Sequence, residues 1–384
     1  MASTLSATRK CVIAAKEETV YGTDSTPDGT SAILTTVPDF SVNAEETKRD
    51  YAKASFSPSG FVPNQFTQQI SFSTELKGAN DNTDPDKAPR FADLLEACGM
   101  TQTEAVWVPL TGITGGPFVA GETVTGGTSA KEATVRRVKT DGLIVTGATG
   151  DFDTEETLTG GTSGATGTTA ASNANNPRLE FMPMSDINNQ KSATIGYYKD
   201  GIFHKLTGCR GSVKLAFAIG GYPKLDFNFT GIYNAPTDAA NITVASYEEH
   251  LPPLFQGIGL AIGTYSPTGI EKFDLDLANQ VNPAKDAQNA TGVSAIRITD
   301  RTPTASFDFD VDELANFNPW TLFQNGTTQN IEFMCGTAVG NRIYVEIPAA
   351  QLKTPAYQDK NGVAAYNMSL EPTGNDDEII IAFG

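Results

Sequence analysis

The sequence predicts an all-β fold, a tandemly duplicated β-sandwich or barrel with short flanking helices and a small inserted β domain. Segments that alternate apolar with polar residues recur along most of the chain, and this period of two is typical of strands with one buried face. The 384 residues include 36 glycines, 21 prolines and 21 phenylalanines, which is usual in proteins built from strands and turns. A chain of this length can hold two or three domains.

Seven alternating segments are interpreted as strands. They are QISFSTEL (69–76), GSVKLAFAI (211–219), KLDFNFTGIY (224–233), KFDLDL (272–277), ASFDFDVD (305–312), NRIYVEI (341–347) and EIIIAF (378–383). Because successive side chains of a strand point to opposite faces, each segment can bury its apolar residues and leave the polar ones on the other face.

Two segments carry helix signals. In DKAPRFADLLEACGM (86–100), Pro89 suits the first helical position and Gly99 suits the end. In NPWTLFQNG (318–326), Asn318 is the expected N-cap, a proline follows it and a glycine lies past the last turn. The sequence therefore predicts two short helices in a fold of strands.

Residues 105–176 differ from the rest of the chain because they contain 13 of the 36 glycines. The segment FVAGETVTGGTSA (118–130) returns as FDTEETLTGGTSG (152–164), at an offset of 34 residues. Glycine and threonine at this density disfavour helices. We interpret the segment as two short β units that form a small inserted domain on the outer surface, followed by the linker ASNANN (171–176).

A second, weaker repetition predicts a duplication. RLEFMP (178–183) is echoed by NIEFMC (330–335), and each copy is preceded by a strand, a long polar loop, another strand and a helix. Chance similarity between two β segments would also explain the echo. The predicted organisation is a first copy of the core unit in 1–104 plus 177–250, the insert in 105–176 and a second copy in 251–384.

The charge balance excludes several classes of partner. The chain has 27 basic and 45 acidic residues, a net charge of −18, which opposes free binding to nucleic acids and anionic membranes. No apolar run approaches the roughly 20 residues of a membrane span, and the short apolar stretch near the N-terminus does not resemble a signal peptide. The four cysteines are widely spaced, so we expect neither a disulfide framework nor a zinc site, and an intracellular origin.

Long polar loops are predicted at equivalent places in the two copies, and loops of this length are usually functional or disordered. The first loop, ETKRDYAKASFSPSGFVPNQF (46–66), combines basic with aromatic residues. We interpret it as a docking segment for the acidic surface of another copy, and a solvated loop is the alternative. Its candidate contact residues are Lys48, Arg49, Tyr51, Lys53, Phe56, Phe61 and Phe66.

Several predicted strands carry carboxylates on alternate positions, with aromatic or aliphatic residues between them. The pattern is clearest in FDFDVDEL (307–314) and repeats in KFDLDL and KLDFNF. It predicts an extended acidic surface in front of an apolar core. The residues assigned to this surface are Asp226, Asp274, Asp276, Asp308, Asp310 and Asp312.

The same residues could in principle carry chemistry. Asp308 and Asp310 could lie at the 5–10 Å separation of a glycosidase acid pair, but aromatic platforms for a sugar are missing nearby. A calcium loop needs its acids in a turn, without phenylalanine between them. His204 and His250 are isolated from each other and from the cysteines, which disfavours a triad or a histidine metal site. We predict no catalytic residue, no metal site and no cofactor.

Four stretches resemble a known family. They are KEETVYGTDSTPDGTSAILTTVPDF (16–40), LLEACGM (94–100), YYKDGIFHKLTGCRGSVKLAFAIGGYPKLDFNFTGIYNAP (197–236) and NDDEIIIAFG (375–384). In order and wording they look like the tail tube proteins of long-tailed bacteriophages. The glycine- and threonine-rich repeat is similar to modules inserted into phage structural proteins, which are often displayed on the outside.

The resemblance implies a structural subunit and not an enzyme. In such proteins the sheets of neighbouring copies join into a ring with an inner barrel, the rings stack into a tube, the long loops reach between rings, and DNA passes through the lumen. Because this chain carries two copies of the fold, we predict a trimeric ring with pseudo-sixfold symmetry, with a hexameric ring as the alternative. The implied partners are the tape measure, tail terminator and tail tip proteins, in a virion tail made in the bacterial cytoplasm.

The acidic rows then have a physical interpretation. Duplex DNA carries about one charge per 1.7 Å of axis, so a basic lumen would hold it. An acidic lumen would repel it over about 8 Å at physiological salt and let it slide.

Two other classes remain open at this point. One is a surface adhesin of a phage or bacterium whose inserted domain binds glycans. The other is a secreted acidic hydrolase with a β-sandwich fold. The missing signal peptide and the scarcity of histidine disfavour the hydrolase.

Overall fold

The computed structural model describes residues 7–172, 174–244 and 247–384, and over these residues the chain forms 25 strands and two short helices. The all-β prediction is confirmed. Before the glycine-rich segment the elements are β1 (Cys11–Glu17), β2 (Ala32–Ile33), β3 (Asp39–Lys48), β4 (Phe61–Glu75), α1 (Ala92–Ala97) and β5 (Met100–Thr114). The glycine-rich segment adds β6 (Thr123–Gly126), β7 (Glu132–Lys139), β8 (Gly142–Thr146), β9 (Thr157–Gly160) and β10 (Thr166–Thr169).

The chain continues through further antiparallel strands and a single helix. These are β11 (Asn176–Pro183), β12 (Ala193–Lys199), β13 (Gly201–Ala218), β14 (Lys224–Ile232), β15 (Thr237–Ala239), β16 (Ala261–Ile262), β17 (Lys272–Asp276), β18 (Asn279–Lys285), β19 (Val293–Arg301), β20 (Thr304–Asp310), α2 (Pro319–Asn325), β21 (Thr328–Cys335), β22 (Ile343–Leu352), β23 (Ala356–Lys360), β24 (Val363–Pro372) and β25 (Ile380–Phe383).

The strands pair in an order that occurs twice. In the first half the order is β1–β12–β13–β14–β4–β3. In the second half it is β16–β21–β22–β24–β20–β17, and β23 pairs with the first part of β24. In this order β21, which contains NIEFMC, occupies the position in the second half that β12 occupies in the first. RLEFMP instead lies in β11, which pairs with β5 and β25. Strand β17 pairs with β13, so one sheet runs through both halves.

The aromatic residues of the alternating segments form the core. Phe227 and Phe229 in β14, Phe273 in β17, and Phe307 and Phe309 in β20 are at most 2% exposed. Phe273 stacks on Phe307 with ring centroids 5.6 Å apart. Each buried side chain of this kind stabilises the fold by roughly 1.5–3 kcal/mol, and the core they form is continuous across the two halves.

One of the two helices differs from the prediction. Helix α1 begins at Ala92, because residues 89–92 form a turn in which the Ala92 N–H donates to the Pro89 carbonyl. The prediction that Pro89 is the first residue of this helix is therefore wrong. Helix α2 agrees with the prediction: the Asn318 side chain accepts from the Thr321 N–H, and Gly326 ends the helix in the left-handed region.

The predicted long loop 46–66 is mostly the outer part of a β-hairpin, which corrects the sequence-based expectation. Strands β3 and β4 remain paired as far as Lys48 and Phe61, so only 49–60 connect them. Most side chains of β3 are exposed on both faces. The first part of β3 lies in PDFSV (38–42), which was predicted as a strand. Because a strand exposed on both faces needs no apolar alternation, the remainder of β3 carries no strand signal in the sequence.

The second predicted loop is also a hairpin, formed by β18 and β19, and it lies against the first one. Lys285 pairs with Glu45 at 2.7 Å, and the Phe66 N–H donates to the Thr291 carbonyl at 3.1 Å. The two hairpins together are named the arm below. The second hairpin also packs on the body of the molecule, where Ile296 is buried and its carbonyl accepts from Arg210 of β13.

The glycine-rich segment has an apolar cluster of its own, covered by the strands β5 to β10. Its members are mainly aliphatic and include one phenylalanine from each repeat: Val108, Leu110, Phe118, Val124, Ala133, Val135, Leu143, Val145, Phe152, Leu158 and Ala165.

The two repeats in this segment cap each other through buried carboxylates. Glu122 of the first repeat accepts the N–H groups of Thr162 and Ser163 at 3.0 and 2.8 Å. Glu156 of the second repeat does the same for the loop around Ser129, whose N–H lies at 3.0 Å. The sequence repeat is thus matched by a reciprocal contact, in which each TGGTS loop binds the other repeat's glutamate.

Candidate functional site

Five of the six aspartates assigned to an acidic surface lie on one face of the sheet that joins the two halves. Alternation along each strand and the cross-strand register put them on the face opposite the aromatic core. The five are Asp226 of β14, Asp274 and Asp276 of β17, and Asp308 and Asp310 of β20. We name this surface the charged face.

Sequence reasoning missed four lysines on the same face. Lys214 lies opposite both Asp226 and Asp276. Lys272 alternates with the aspartates of its own strand, so its side chain is on the same face. The full set is Lys214, Lys224, Lys272 and Lys360. The alternate positions of Lys214, Lys224 and Lys272 within the predicted strands were a signal that could have placed them, whereas Lys360 lies in β23, which was not among the predicted strands. The face is therefore mixed in charge.

Asp308 is the most enclosed of the five aspartates, with 3% of the residue exposed. Its carboxylate accepts the Lys272 N–H and the Gln358 side-chain amide, each at 3.2 Å, and lies 3.5 Å from the Lys360 ammonium. Lys360 is also 3.8 Å from Asp310. The structure thus brings two predicted site residues together, around a lysine from a different strand.

The remaining aspartates of the charged face are more open. Asp274 pairs with Lys214 at 3.3 Å, and about a third of its side chain is exposed. Asp226 accepts a hydrogen bond from the Ser73 hydroxyl at 2.5 Å, and Asp276 binds a backbone N–H in the turn that follows its strand. These groups are held in place but remain accessible to solvent.

Asp312 is not on the charged face, because β20 ends at Asp310. Its carboxylate accepts from the Asn316 side chain, the Glu313 N–H and the Tyr265 hydroxyl. The Asn316 and Glu313 hydrogen bonds lower the pKa of Asp312. This residue closes a turn, and the structure does not bring it together with the other five.

Five of the predicted contact residues lie at or near the tip of the arm. Lys48 ends β3, and Arg49 stacks over the ring of Tyr51 at 5.4 Å. Lys53 donates to a backbone carbonyl within the tip, and Phe56 is fully exposed. An exposed aromatic ring beside three cations is available to a partner.

The other two predicted contact residues lie further down the arm, in β4. Phe61 is the first residue of that strand and is about half exposed. Phe66 packs against Tyr233, with ring centroids 5.5 Å apart, and belongs to the body of the molecule. The structure therefore separates Phe66 from the tip residues.

The sheet of the charged face has two unpaired edges. Among the described residues, β3 pairs with β4 alone and β23 pairs with β24 alone. Large apolar side chains are exposed at both edges: Val37 and Val42 near β3, and Tyr357 and Val363 near β23. Unpaired backbone groups beside exposed apolar side chains form a surface on which another strand can pair.

A buried ion cluster holds the glycine-rich segment on the body of the molecule. Arg137 of β7 donates to both oxygens of Glu180, at 2.6 and 2.9 Å, and lies 3.4 Å from Glu346. Lys139 pairs with Glu346 at 3.0 Å, and Arg178 binds both glutamates from the body. The segment is thus held on the body by ion pairs to two glutamates that are almost fully buried.

The cations of this cluster lower the pKa of its two carboxyl groups. Burial by itself raises the pKa of Glu180, but the hydrogen bond from Arg137 and the charges of Arg178, Arg137 and Arg136 outweigh burial and lower the pKa to about 2. The same balance, with Arg178 and Lys139 as the main cations, lowers the pKa of Glu346. Both groups stay ionised under ordinary conditions.

One trio of carboxylates in the described ranges has the spacing of a metal site: Glu17, Asp93 and Glu96. Lys191 already pairs with Glu17 and lies 3.9 Å from Glu96, so a fixed cation lies beside the trio. Burial raises the pKa of Glu96 to about 6. These contacts account for the trio as a local ion network.

The two histidines have structural surroundings. His204 packs against Phe40, with ring centroids 4.4 Å apart, and burial lowers its pKa. A ring nitrogen of His250 hydrogen bonds the Gly78 carbonyl at 2.9 Å. Over the described parts of the chain, no helix has the length and apolar character needed to cross a membrane.

The chain matches the sequence model of a known protein family. The sequence model of a family described as "Phage tail tube protein" matches residues 8–379. No curated protein matches the chain.

Proposed function

The chain belongs to the phage tail tube protein family, and from this premise we propose that its copies join edge to edge into rings whose stack conducts DNA during genome ejection. Family membership makes it a structural component of the phage tail, implies self-assembly into the tube, and implies association with other tail proteins. The tape measure, tail terminator and tail tip proteins are the partners we propose. In this proposal the arm reaches from one ring to the next.

The observation that carries the proposal is the continuous sheet with two open ends. Strand β17 of the second half pairs with β13 of the first, so the two halves already share one sheet. At its ends β3 and β23 present unpaired backbone groups. Joining such edges between copies would satisfy these groups and close the sheet into a barrel.

The number of copies follows from the repeated pairing order. If each half is one tube-fold unit, with 1–104 plus 177–250 as the first unit and 251–384 as the second, then three chains supply six units. The ring would be a trimer with pseudo-sixfold symmetry. A hexameric ring is the alternative. The insert, 105–176, would lie on the outer wall, held there by the Arg137 cluster.

We further propose that the charged face lines the bore, since the opposite face is filled by the core. The five aspartates are accompanied by four lysines, which leaves a small excess of negative charge among these side chains. Lys214 and Lys360 are each paired with carboxylates. Paired lysines bind phosphate poorly, so such a wall would neither hold DNA nor repel it strongly.

Electron microscopy of the purified chain in negative stain tests the proposal. We expect rings or hollow tubes with three chains per ring, a number that native mass spectrometry of isolated rings measures. Compact monomers at every concentration would contradict the tube function and favour an adhesin. Rings of six chains would retain the function but overturn the pseudo-sixfold trimer.

A further inference from the structure

We propose that neighbouring copies in the ring meet by antiparallel pairing of β23 of one copy with β3 of the next, beside an aromatic surface on α2. This inference rests on the proposed function, because it needs the chain to form rings. It names the two surfaces and their register.

The chain contains its own template for this contact. Along the pairing order β13–β14–β4–β3, the far edge of β13 is occupied by β17, a strand of the second half. The second half repeats the order as β23–β24–β20–β17. In this comparison β23 corresponds to the part of β13 that pairs with β17, and β3 corresponds to β17.

Among the described residues, two edges in this comparison are left without a partner strand. The edge of β13 is filled by β17 of the same chain, whereas the edge of β23 has no strand on it among the described residues. Likewise the outer edge of β3 is open, while the equivalent edge of β17 is covered by β13. A second copy supplies the missing strand at each end.

The template also fixes the register. Phe72 and Phe307 are both buried, and each lies three residues before the last residue of its strand, so we take them as equivalent. They lie opposite Phe227 and Met368 respectively. Two residues back along β14 and β24, Leu225 lies opposite Leu215 and Tyr366 lies opposite Tyr357. Tyr357 is therefore the equivalent of Leu215.

The same comparison of β17 with β3 identifies the residue of the next copy that lies opposite Tyr357. Leu275 of β17 lies opposite Ala305, which is two residues before Phe307. Phe40 of β3 lies opposite Ile70, which is two residues before Phe72. Since Leu215 pairs with Leu275 within the chain, we infer that Tyr357 lies opposite Phe40 of the next copy.

The side chains at the open edge of β23 fit a covered surface. Tyr357 is 60% exposed, although its ring stacks on the buried Tyr366 and contacts Trp320 of α2 at 5.5 Å. Trp320 and Phe323 are 37% and 43% exposed. Burying these rings against a second copy removes apolar area from water at about 25 cal/mol per Å².

The two helices differ in the way this proposal requires. Helix α1 buries Ala92, Leu94, Leu95 and Ala97 within the chain, whereas α2 buries Pro319 alone. Both helices follow the equivalent strands β4 and β20. Leu322 of α2 packs partly on the core, and the rings of Trp320 and Phe323 are left for a partner outside the chain, next to the open strand.

Disulfide trapping tests the register. In a background with Cys11→Ala, the half-exposed natural cysteine is removed, and the other three are buried. The pair Phe40→Cys and Tyr357→Cys in one chain is expected to give covalent oligomers up to the closed ring under mild oxidation, because opposite Cβ atoms lie about 4.5–5.5 Å apart. The matched control is Thr47→Cys with Tyr357→Cys. Residue 47 lies roughly 23 Å beyond residue 40 along β3, so no cross-link to residue 357 of the next copy is expected.

Two results separate failure of the contact from failure of the function. Rings in the microscope without covalent product from the Phe40/Tyr357 pair, or equal product from the control pair, would overturn the contact and leave the tube standing. Absence of rings from the unmodified chain would overturn the proposed function itself.

A second variant tests the role of α2. The change Trp320→Lys is expected to raise the protein concentration needed for half-maximal ring formation by about tenfold or more, because each 1.4 kcal/mol of lost contact energy is a factor of ten in the dissociation constant. Val138→Lys, on an exposed residue of the insert, is the control and should assemble as the unmodified chain does. Unchanged assembly of Trp320→Lys, with an unfolding transition like that of the control, would exclude α2 from the contact.

Discussion

Single residues on the charged face act as cross-strand ion pairs. Asp308 and Lys360 belong to strands that are distant in sequence, and both side chains are less than a tenth exposed. A carboxylate in such a place depends on its cation and its two hydrogen-bond donors, because burying an unpaired charge is costly. The aspartates therefore support the fold of the sheet as well as forming its surface.

This dependence gives a prediction at the residue scale. Lys360→Met should lower the free energy of unfolding by about 1–3 kcal/mol, since it leaves the buried Asp308 carboxylate without its cation. Lys353→Met is the matched control: Lys353 pairs with Glu371 at 3.2 Å with both side chains about half exposed, and such pairs contribute about 0–1 kcal/mol. Denaturant titration of both variants measures the difference, and equal losses would contradict the interpretation.

At the scale of elements, packing between segments decides features that the local pattern leaves open. The arm was predicted as two loops, yet it consists of two hairpins that hold each other through Glu45–Lys285 and Phe66–Thr291. Most of β3 is exposed on both faces and shows no alternation, whereas β19 buries Val293, Ile296 and Ile298. The insert is likewise held by Arg137 and Lys139, whose partners Glu180 and Glu346 come from distant strands.

The insert contact should respond to acid. A carboxyl group whose pKa is lower in the folded than in the unfolded state stabilises the fold above its unfolded pKa, about 4.3, and this contribution is lost as pH falls toward the folded value. For Glu180 the folded value is about 2. We therefore expect the free energy of unfolding to fall by on the order of 3 kcal/mol through this group between about pH 4.5 and 2.

Comparison of variants isolates that contribution. Glu180→Gln removes the titrating group, so its stability should depend less steeply on pH over this range than that of the unmodified protein. Glu371→Gln, in an exposed ion pair, should follow the unmodified protein. Denaturant midpoints measured from pH 6 to 2.5 give the slopes, and equal slopes for all three proteins would refute the assignment.

At the scale of the whole molecule, assembly would create surfaces that one copy does not have. The repeated pairing order leaves β3 and β23 open at opposite ends of one sheet. In the proposed ring, each copy extends the sheet of the next and the charged face becomes the wall of a continuous bore. Charge on this face would then act on DNA as the sum over all copies.

The proposed bore can be tested by adding charge without breaking ion pairs. Asn228 lies two residues after Asp226 in β14, and Asn367 lies opposite Asp308 on the neighbouring strand. Both asparagines are therefore on the charged face, and both are exposed. Asn228→Lys with Asn367→Lys should leave tubes intact and slow DNA release from purified virions by roughly tenfold, because repeated cation–phosphate contacts release counterions and hold the DNA. Raised salt should restore the rate.

The matched control for this experiment is Asn228→Asp with Asn367→Asp, which should release DNA as the unmodified virion does. Loss of tubes in both double variants would point to a structural effect. Intact tubes with equal release rates in all three virions would exclude this face from the bore.

The sequence by itself determined the features that depend on local alternation and wording. The period of two predicted strands and put Phe307 and Phe309 on one face and Asp308 and Asp310 on the other, and the quoted stretches indicated the family. Tertiary structure alone decided which lysine neutralises which aspartate, that the two long loops pair into hairpins, and which strand edges stay open. The physical reason is that alternation follows from the geometry of one strand, whereas pairing depends on contacts between residues far apart in the chain.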